Sequence, residues 1–238
     1  MVMRRTEVKD RLRQLIERRQ PGEVLPSERA LSTEIGVSRP TLRAAIDELE
    51  RDGLVVREHG RGTFTAPRKI SQDLLPATGG EQFAPPAEGH WTSRVIDFAT
   101  TPAGARLGKR LEVSPGHVLV AVTRVRVVEE APMAIERILV PRDLVPDITA
   151  AGFESGSFYE LLRTRYEVVP ATAVQIIEPT VTDPDESGLL GVPQHSPALL
   201  FERTTRDDGG RVIEYTRSIY RGDRYRITSH LTFDHTSG

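Results

Sequence analysis

The sequence predicts an α+β protein in two parts: a small helical domain closed by a β-hairpin, and a larger domain built on an antiparallel sheet. Three observations carry this. From Leu25 to Thr65 two short helical periods meet at a glycine, and a glycine-rich turn between two short extended runs follows. After Trp91, long β-branched runs alternate with tight turns and short helical stretches. The charge is also uneven. The 238 residues carry a net −2, yet residues 1–69 hold 15 Lys or Arg against 11 Asp or Glu, and the remainder 17 against 23.

Taken in order, a first helix is expected over Arg4–Arg19, with Val8, Leu12, Leu15 and Ile16 on one face. Arg4, Arg5, Arg11 and Arg13 lie elsewhere on it and read mostly as a solvated face. Ser27 is a good N-cap, and Glu28 suits the first turn of the helix that follows. That helix runs through Ala30, Leu31 and Ile35 and stops at Gly36, which tolerates the left-handed C-cap conformation. Only Val37 separates it from Ser38, a second N-cap. Leu42, Ala45, Ile46 and Leu49 then recur at helical period.

Two short helices joined by a tight glycine turn form a helix-turn-helix, whose second helix enters the DNA major groove by its N-terminal end. That end carries Arg39, Thr41 and Arg43. Guanidinium groups match guanine O6 and N7, and hydroxyls match phosphates. Leu54-Val55-Val56, the turn His59-Gly60-Arg61-Gly62 and Thr63-Phe64-Thr65 read as a hairpin with a basic tip, the wing of a winged helix. The excess of cations in this part confines the attraction for phosphate to one end of the chain. Pro67 closes the domain, and Arg68 to His90, containing PATGG and APPAEG, has linker composition. The expected boundaries are 1–68 for the winged helix, 69–90 for the linker and 91–238 for the second domain.

In that second domain Val118–Val128 is long enough to cross a sheet. Glu129 to Pro132 turn it, and Met133–Val140 return. Ala198–Arg206 and Arg211–Tyr220 make a second hairpin around Asp207-Asp208-Gly209-Gly210. Helices are expected near Ser157–Arg165 and Pro184–Leu190. Arg124 and Arg126, two apart on a strand, project from one face beside Val120, Val122 and Val128, with Glu136 on the return strand as a partner. Glu214, Thr216, Ser218 and Tyr220 share one face of a later strand. On alternation alone, exposed faces with cross-strand ion pairs are the favoured reading, because surface pairs are common and weak.

Other chemistry finds little support. With no cysteine, disulfides, zinc ribbons and thiol catalysis do not apply. The six histidines, at 59, 90, 117, 195, 230 and 235, lack metal-ligand spacing. Asp183 to Gly188 imitates the start of a calcium loop, but the twelfth position is Gln194, so helix initiation from Thr182 is expected instead. No apolar run approaches the ~18 residues of a membrane span, and the charged Met1–Arg19 does not read as a signal peptide. A soluble, cytoplasmic protein without metal or cofactor is expected.

The pattern LPSER, VSRPTLR, L-x-x-L-x-x-x-G-L and GRGTF resembles the GntR family of bacterial transcription regulators over about forty residues. From Trp91 to Ile227, TRVRV, PMAIER, GSFYELL and VIEYTRSIYRGDRY are similar to the effector-binding (UTRA) domain of its HutC-like subgroup, which shares the chorismate lyase fold. The resemblance implies that Arg29 and Arg39 approach bases and that Gly60 lets the wing enter the minor groove. Ser38, Thr41, Arg43, Arg61 and Thr63 are then assigned to phosphates. It further implies that Arg124, Arg126, Ser157 and Tyr159 bind an anionic group, with Glu136, Glu214 and Tyr220 on the polar remainder. Arg forks match phosphate or carboxylate, and carboxylates accept from hydroxyls. Ser157 also opens a capping box with Glu160, which is compatible, since a helix N-terminus is an anion site. The implied protein is a homodimeric repressor on pseudo-palindromic double-stranded operator DNA. A small anionic effector would release it: a phosphosugar first, then a carboxylate such as urocanate or another phosphorylated metabolite. The alternative, a lyase-like enzyme with an appended DNA-binding domain, has no GxSxG, HExxH or P-loop to carry it, and fold likeness does not transfer activity.

Overall fold

The computed structural model describes residues 5–58, 60–66, 69–74, 90–154, 157–229 and 231. The chain divides into two units, Met1–Lys69 and Ile70–Gly238.

The first unit holds α1 (Arg5–Glu17), α2 (Glu28–Ile35), α3 (Arg39–Arg51) and the hairpin β1 (Val55–Glu58) and β2 (Gly62–Thr65). Local chemistry sets these boundaries. The Ser27 hydroxyl accepts from Ala30 N–H, Gly36 closes α2 in the left-handed region at φ 78°, and the Ser38 hydroxyl accepts from Thr41 N–H. Val8, Leu12, Leu31, Leu42, Ile46, Leu49 and Val55 make one core, each buried aliphatic side chain contributing about 2 kcal/mol. Basic residues of α1 turn inward to the end of α3. Lys9 lies 2.9 Å from Asp52 and 3.3 Å from Glu48, and Arg13 lies 3.0 Å from Asp52.

The second unit is built on a six-stranded antiparallel sheet of order β4-β5-β6-β9-β8-β7. Its strands are β4 (Trp91–Pro102), β5 (Val118–Val128), β6 (Ala131–Pro141), β7 (Pro170–Val181), β8 (Pro197–Asp207) and β9 (Val212–Arg221). The helices are α4 (Ala105–Leu111), α5 (Phe158–Arg165) and α6 (Pro184–Leu190). β4-α4-β5-β6 and β7-α6-β8-β9 each run strand, helix, hairpin, and the two halves meet where β6 pairs with β9. On one face Val120, Val122, Ile138 and Val140 pack against Phe153, Phe158, Tyr159 and Leu162. Separate clusters join α4 to Leu119 and Tyr215, and α6 to Val125, Ile135 and Ile219.

Three expectations are corrected. The segment read as linker contains a strand, β3 (Ile70–Leu74), which pairs in parallel with β10 (Tyr225–Ser229) from Ile70↔Tyr225 to Leu74↔Ser229. The first hairpin turns on Glu129 and Glu130 alone, both at positive φ (48° and 65°) as a two-residue turn requires, so the return strand starts at Ala131 and not Met133. The N-cap of α6 is Asp183, not Thr182. The Asp183 carboxylate accepts from Glu186 N–H at 2.7 Å and the Glu186 carboxylate from Asp183 N–H at 3.1 Å, a complete capping box. Thr182 is buried and accepts from the Ser187 hydroxyl and from Ser196 N–H. Pro67 and His59 lie outside the described residues.

Candidate functional site

Two sites emerge, one in each unit. In the first, Arg29, Ser38, Arg39, Arg43, Gly60 and Arg61 are exposed, while Thr41 and Thr63 are partly exposed. Arg39 and Thr41 sit in the first turn of α3. The Ser38 and Thr41 hydroxyls bond each other at 2.8 Å. Arg43 is tied by Nε at 3.2 Å and Nη2 at 2.7 Å to the Glu28 carboxylate, which that bond holds below its ordinary pKa. Glu28 therefore joins the start of α2 to α3 and aims Arg43, while Arg39 stands 4.0 Å from the same carboxylate. On the wing, Arg61 pairs with Glu58 and lies over the Phe64 ring at 5.5 Å. Arg57 fastens β1 to α3 through Asp47 and through Glu50 at 3.1 Å. A cleft of about 790 Å³ opens between the start of α2 and the wing, lined by Pro26, Ser27, Arg57, Arg61 and Gly62 among others. Glu28 and Arg57 were missed as positioning residues, because ion pairs between separate elements leave no local signature.

In the second unit, pairing register brings the polar residues together. One row across the sheet runs Val95, Arg124, Glu136, Ser218 and Phe201, and the next includes Ile138, Thr216 and Arg203. Arg124, Arg126 and Glu136 are all buried, which overturns the exposed-face reading of this alternation. Arg124 Nε donates to Glu136 Oε2 at 2.7 Å, and its Nη1 donates to the Phe153 carbonyl at 2.7 Å. Arg126 is looser, 3.9 Å from the same oxygen, with its guanidinium 5.3 Å from the Trp91 ring centroid. The Tyr220 hydroxyl donates to Glu136 Oε1 at 3.4 Å. Burial opposes ionisation of Glu136, but the charges of Arg124, Arg126 and Arg203 overcome this and hold its carboxyl at about 2.

Glu214 and Tyr159 belong to an adjoining group. Glu214 is almost fully buried and accepts from Thr205 Oγ1 at 3.3 Å, from Arg203 Nη2 at 3.4 Å and from the Thr216 hydroxyl. The Tyr159 hydroxyl lies 3.1 Å from Thr205 Oγ1, and the Arg203 guanidinium lies 5.3 Å from the Tyr159 ring centroid. Ser157 is the N-cap of α5 and accepts from Glu160 N–H at 3.5 Å; only that half of the expected capping box forms. It is bonded to neither group. Arg203 and Thr205 were missed, although Phe201, Arg203 and Thr205 alternate on β8 just as the arginines do on β5. Among the described residues the cluster thus sets three guanidinium groups, those of buried Arg124 and Arg126 and of partly buried Arg203, against the two buried carboxylates of Glu136 and Glu214. The Nε atoms of Arg126 and Arg203 have no hydrogen-bond partner there.

A winged helix-turn-helix in one unit and an antiparallel α+β sheet in the other define the class: a two-domain transcription regulator. Residues 4–65 match the family described as bacterial regulatory proteins, gntR family, and residues 87–226 match the UTRA domain. The HTH-type transcriptional repressor NagR of Bacillus subtilis (strain 168) is 34% identical over 89% of this chain and 87% of its own length. The mannosyl-D-glycerate transport/metabolism system repressor MngR of Escherichia coli (strain K12) is 31% identical over 93% of each chain. The crystal structure of PhnF from Mycobacterium smegmatis aligns with TM-score 0.63 and 28% identity, covering 95% of this chain and 100% of that one. The chain belongs to the GntR family, in the HutC-like subgroup that carries a UTRA domain. It is a regulator and not an enzyme, as its relatives are. Among the described residues no helix is long and apolar enough to cross a membrane, and no three His, Asp or Glu cluster as metal ligands.

Proposed function

We propose that the protein is a homodimeric cytoplasmic repressor that leaves a pseudo-palindromic operator when a small anionic metabolite fills the cluster around Arg124 and Arg126. The observation that carries this reading is the charge imbalance: three guanidinium groups against two carboxylates, with Arg126 left at 3.9 Å from Glu136. A buried cation without a close partner is costly, and an anion supplies that partner. Burial lowers the pKa of Arg126, in keeping with a charge awaiting a counterion. A phosphosugar fits best. Its phosphate would meet the arginines with Ser157 and Tyr159, and its hydroxyls would meet Glu136, Tyr220 and the remaining acceptor capacity of Glu214. A relative's name concerns mannosyl-D-glycerate, a sugar bearing a carboxylate, which supports the sugar-anion class.

On DNA, Arg29 and Arg39 read bases, Gly60 brings the wing backbone into the minor groove, and Ser38, Thr41, Arg43, Arg61 and Thr63 hold phosphates. Two copies match two half-sites. The test is a thermal-shift series of hexose and hexosamine 6-phosphates beside the parent sugars. A ligand at 100 times its dissociation constant adds roughly 2.7 kcal/mol of stability. Stabilisation by the phosphates and not by the parent sugars is expected; equal responses to both would contradict an anion site.

A further inference from the structure

The end of the motif VIEYTRSIYRGDRY takes no part in the polar cluster described above, yet it lies against it. Tyr225, the first residue of β10, is almost fully buried. Its ring packs on Tyr220 with centroids 4.4 Å apart and on Phe201 at 6.0 Å. Its hydroxyl donates to Gln72 Oε1 on β3. The same Tyr220 donates to Glu136, the carboxylate that Arg124 and Arg126 face.

β3 is the first element after the DNA-binding unit. It forms a two-stranded ribbon with β10, an arrangement that is marginal by itself, so side-chain anchors decide whether it stays. Among the described residues those anchors include the Ile70 side chain in the Phe201–Tyr220–Tyr225 cluster, the Ser71 and Thr228 hydroxyls 2.7 Å apart, and the Tyr225–Gln72 bond. The turn from β9 to β10 is firm. Arg221 holds Asp223 at 2.6 Å, and a Cβ on Gly222 would come within 2.8 Å of the Pro197 carbonyl oxygen.

We propose that Tyr225 is a positioning residue that couples the anion pocket to β3, so that occupancy felt at Glu136 and Tyr220 reaches the strand following the DNA-binding unit. The coupling rests on the pocket reading above. An anion that draws Arg124 or Arg126 from the Glu136 carboxylate changes the acceptor to which the Tyr220 hydroxyl donates, and so alters the surface on which Tyr225 packs. Tyr225 passes this to Gln72, and β3 tightens or loosens against β10. Contiguous contacts supply the path, and the coupling requires that the two-stranded ribbon of β3 and β10 take two arrangements.

Hydrogen–deuterium exchange on the full chain, with inorganic phosphate as the probe, tests this together with melting temperatures of the same samples. In the parent protein phosphate is expected to raise the melting temperature and to change exchange across residues 70–74 at least threefold. Tyr225→Phe and Gln72→Leu each remove one side of the bond with little change in volume. Both variants are expected to keep the thermal shift and lose the response at 70–74. Arg126→Ala is expected to lose both. A thermal shift with 70–74 unresponsive in the parent, or with the response retained in both variants, overturns the coupling. No thermal shift in the parent contradicts the pocket itself, a separate and distinguishable result. If Tyr225→Phe does not fold, Gln72→Leu, partly buried at the far end of the bond, decides the question.

Discussion

Arg124 and Arg126 stand on one strand face, but removing them has different consequences. Arg124 makes the close bond to Glu136, so Arg124→Ala strands a buried carboxylate and is expected to cost about 3–5 kcal/mol in urea unfolding. Arg126→Ala leaves that bond intact. It is expected to fold nearly as well and to weaken binding of an anionic effector tenfold to a hundredfold, since a charge-assisted Arg contact is worth roughly 1.5–3 kcal/mol. Equal stability losses for the two variants in the same unfolding series would refute this division. Glu136 also fixes an acid limb. Its carboxyl sits at about 2 in the fold against an ordinary value near 4.3 unfolded. The stability it contributes, roughly 3 kcal/mol, is present above the unfolded value and disappears as pH falls from about 5 toward 2. Glu136→Gln is expected to flatten that part of the pH–stability curve; an unchanged acid limb would show that other carboxyls set it. On the DNA side, Arg39→Ala is expected to cost about 1–3 kcal/mol on operator and relax one base pair, whereas equal losses on random DNA would make Arg39 a phosphate contact. The two arginines of β5 and their Glu136 partner were legible as a group because strand alternation puts them on one face. Their burial was not, because it depends on α5 and the Ala150–Phe153 turn folding over the sheet. Arg203 escaped for a related reason: it reaches the group through the β8–β9 register, a relation between strands that neither strand encodes alone.

At the scale of elements, what was local was readable. Ser27, Gly36 and Ser38 bound the helices of the DNA-reading unit, and each does so through its own backbone geometry or one short hydrogen bond. The start of α6 illustrates a near miss. A threonine and an aspartate were both able to cap, and the aspartate won because it alone stands three residues before Glu186, completing the reciprocal bonds. Asp183→Ala is therefore expected to cost about 1 kcal/mol and Thr182→Val to act through its buried hydroxyl bonds instead. Urea denaturation of both variants checks this, and a silent Asp183→Ala would return the cap to Thr182. β3 was hidden more deeply. It is five residues long, sits beside proline- and glycine-rich sequence, and pairs with a strand more distant than any hairpin partner. Gly60 at the wing shows a third case. Its φ is 73°, and among the described residues, its chain neighbours apart, no atom lies within 4 Å of where a Cβ would stand, so the cost of a substitution in the free protein is backbone strain.

At the scale of the whole molecule, the sheet order pairs two strand–helix–hairpin halves, a duplication of topology that no repeat in the sequence announces. The clustered polar residues come from both halves, Arg124 and Glu136 from one and Arg203, Glu214 and Tyr220 from the other, so the cluster forms only once β6 pairs with β9. The uneven charge has a different consequence. With cations concentrated in residues 1–69, operator binding is expected to weaken as salt rises, with a log–log slope near −0.9 for each phosphate neutralised. A flat response would argue against the face formed by α3 and the wing. Sensing and DNA reading are linked only through differential affinity of the effector for the DNA-competent and incompetent states. The most direct measurement is therefore operator affinity of the parent protein and of Arg126→Ala, each with and without saturating hexose or hexosamine 6-phosphate. The expected result is at least a tenfold loss of operator affinity in the parent, with Arg126→Ala starting from the same affinity and showing no loss. Operator affinity that ignores every sugar phosphate, or that falls equally in Arg126→Ala, would contradict the assignment of this pocket as the sensor.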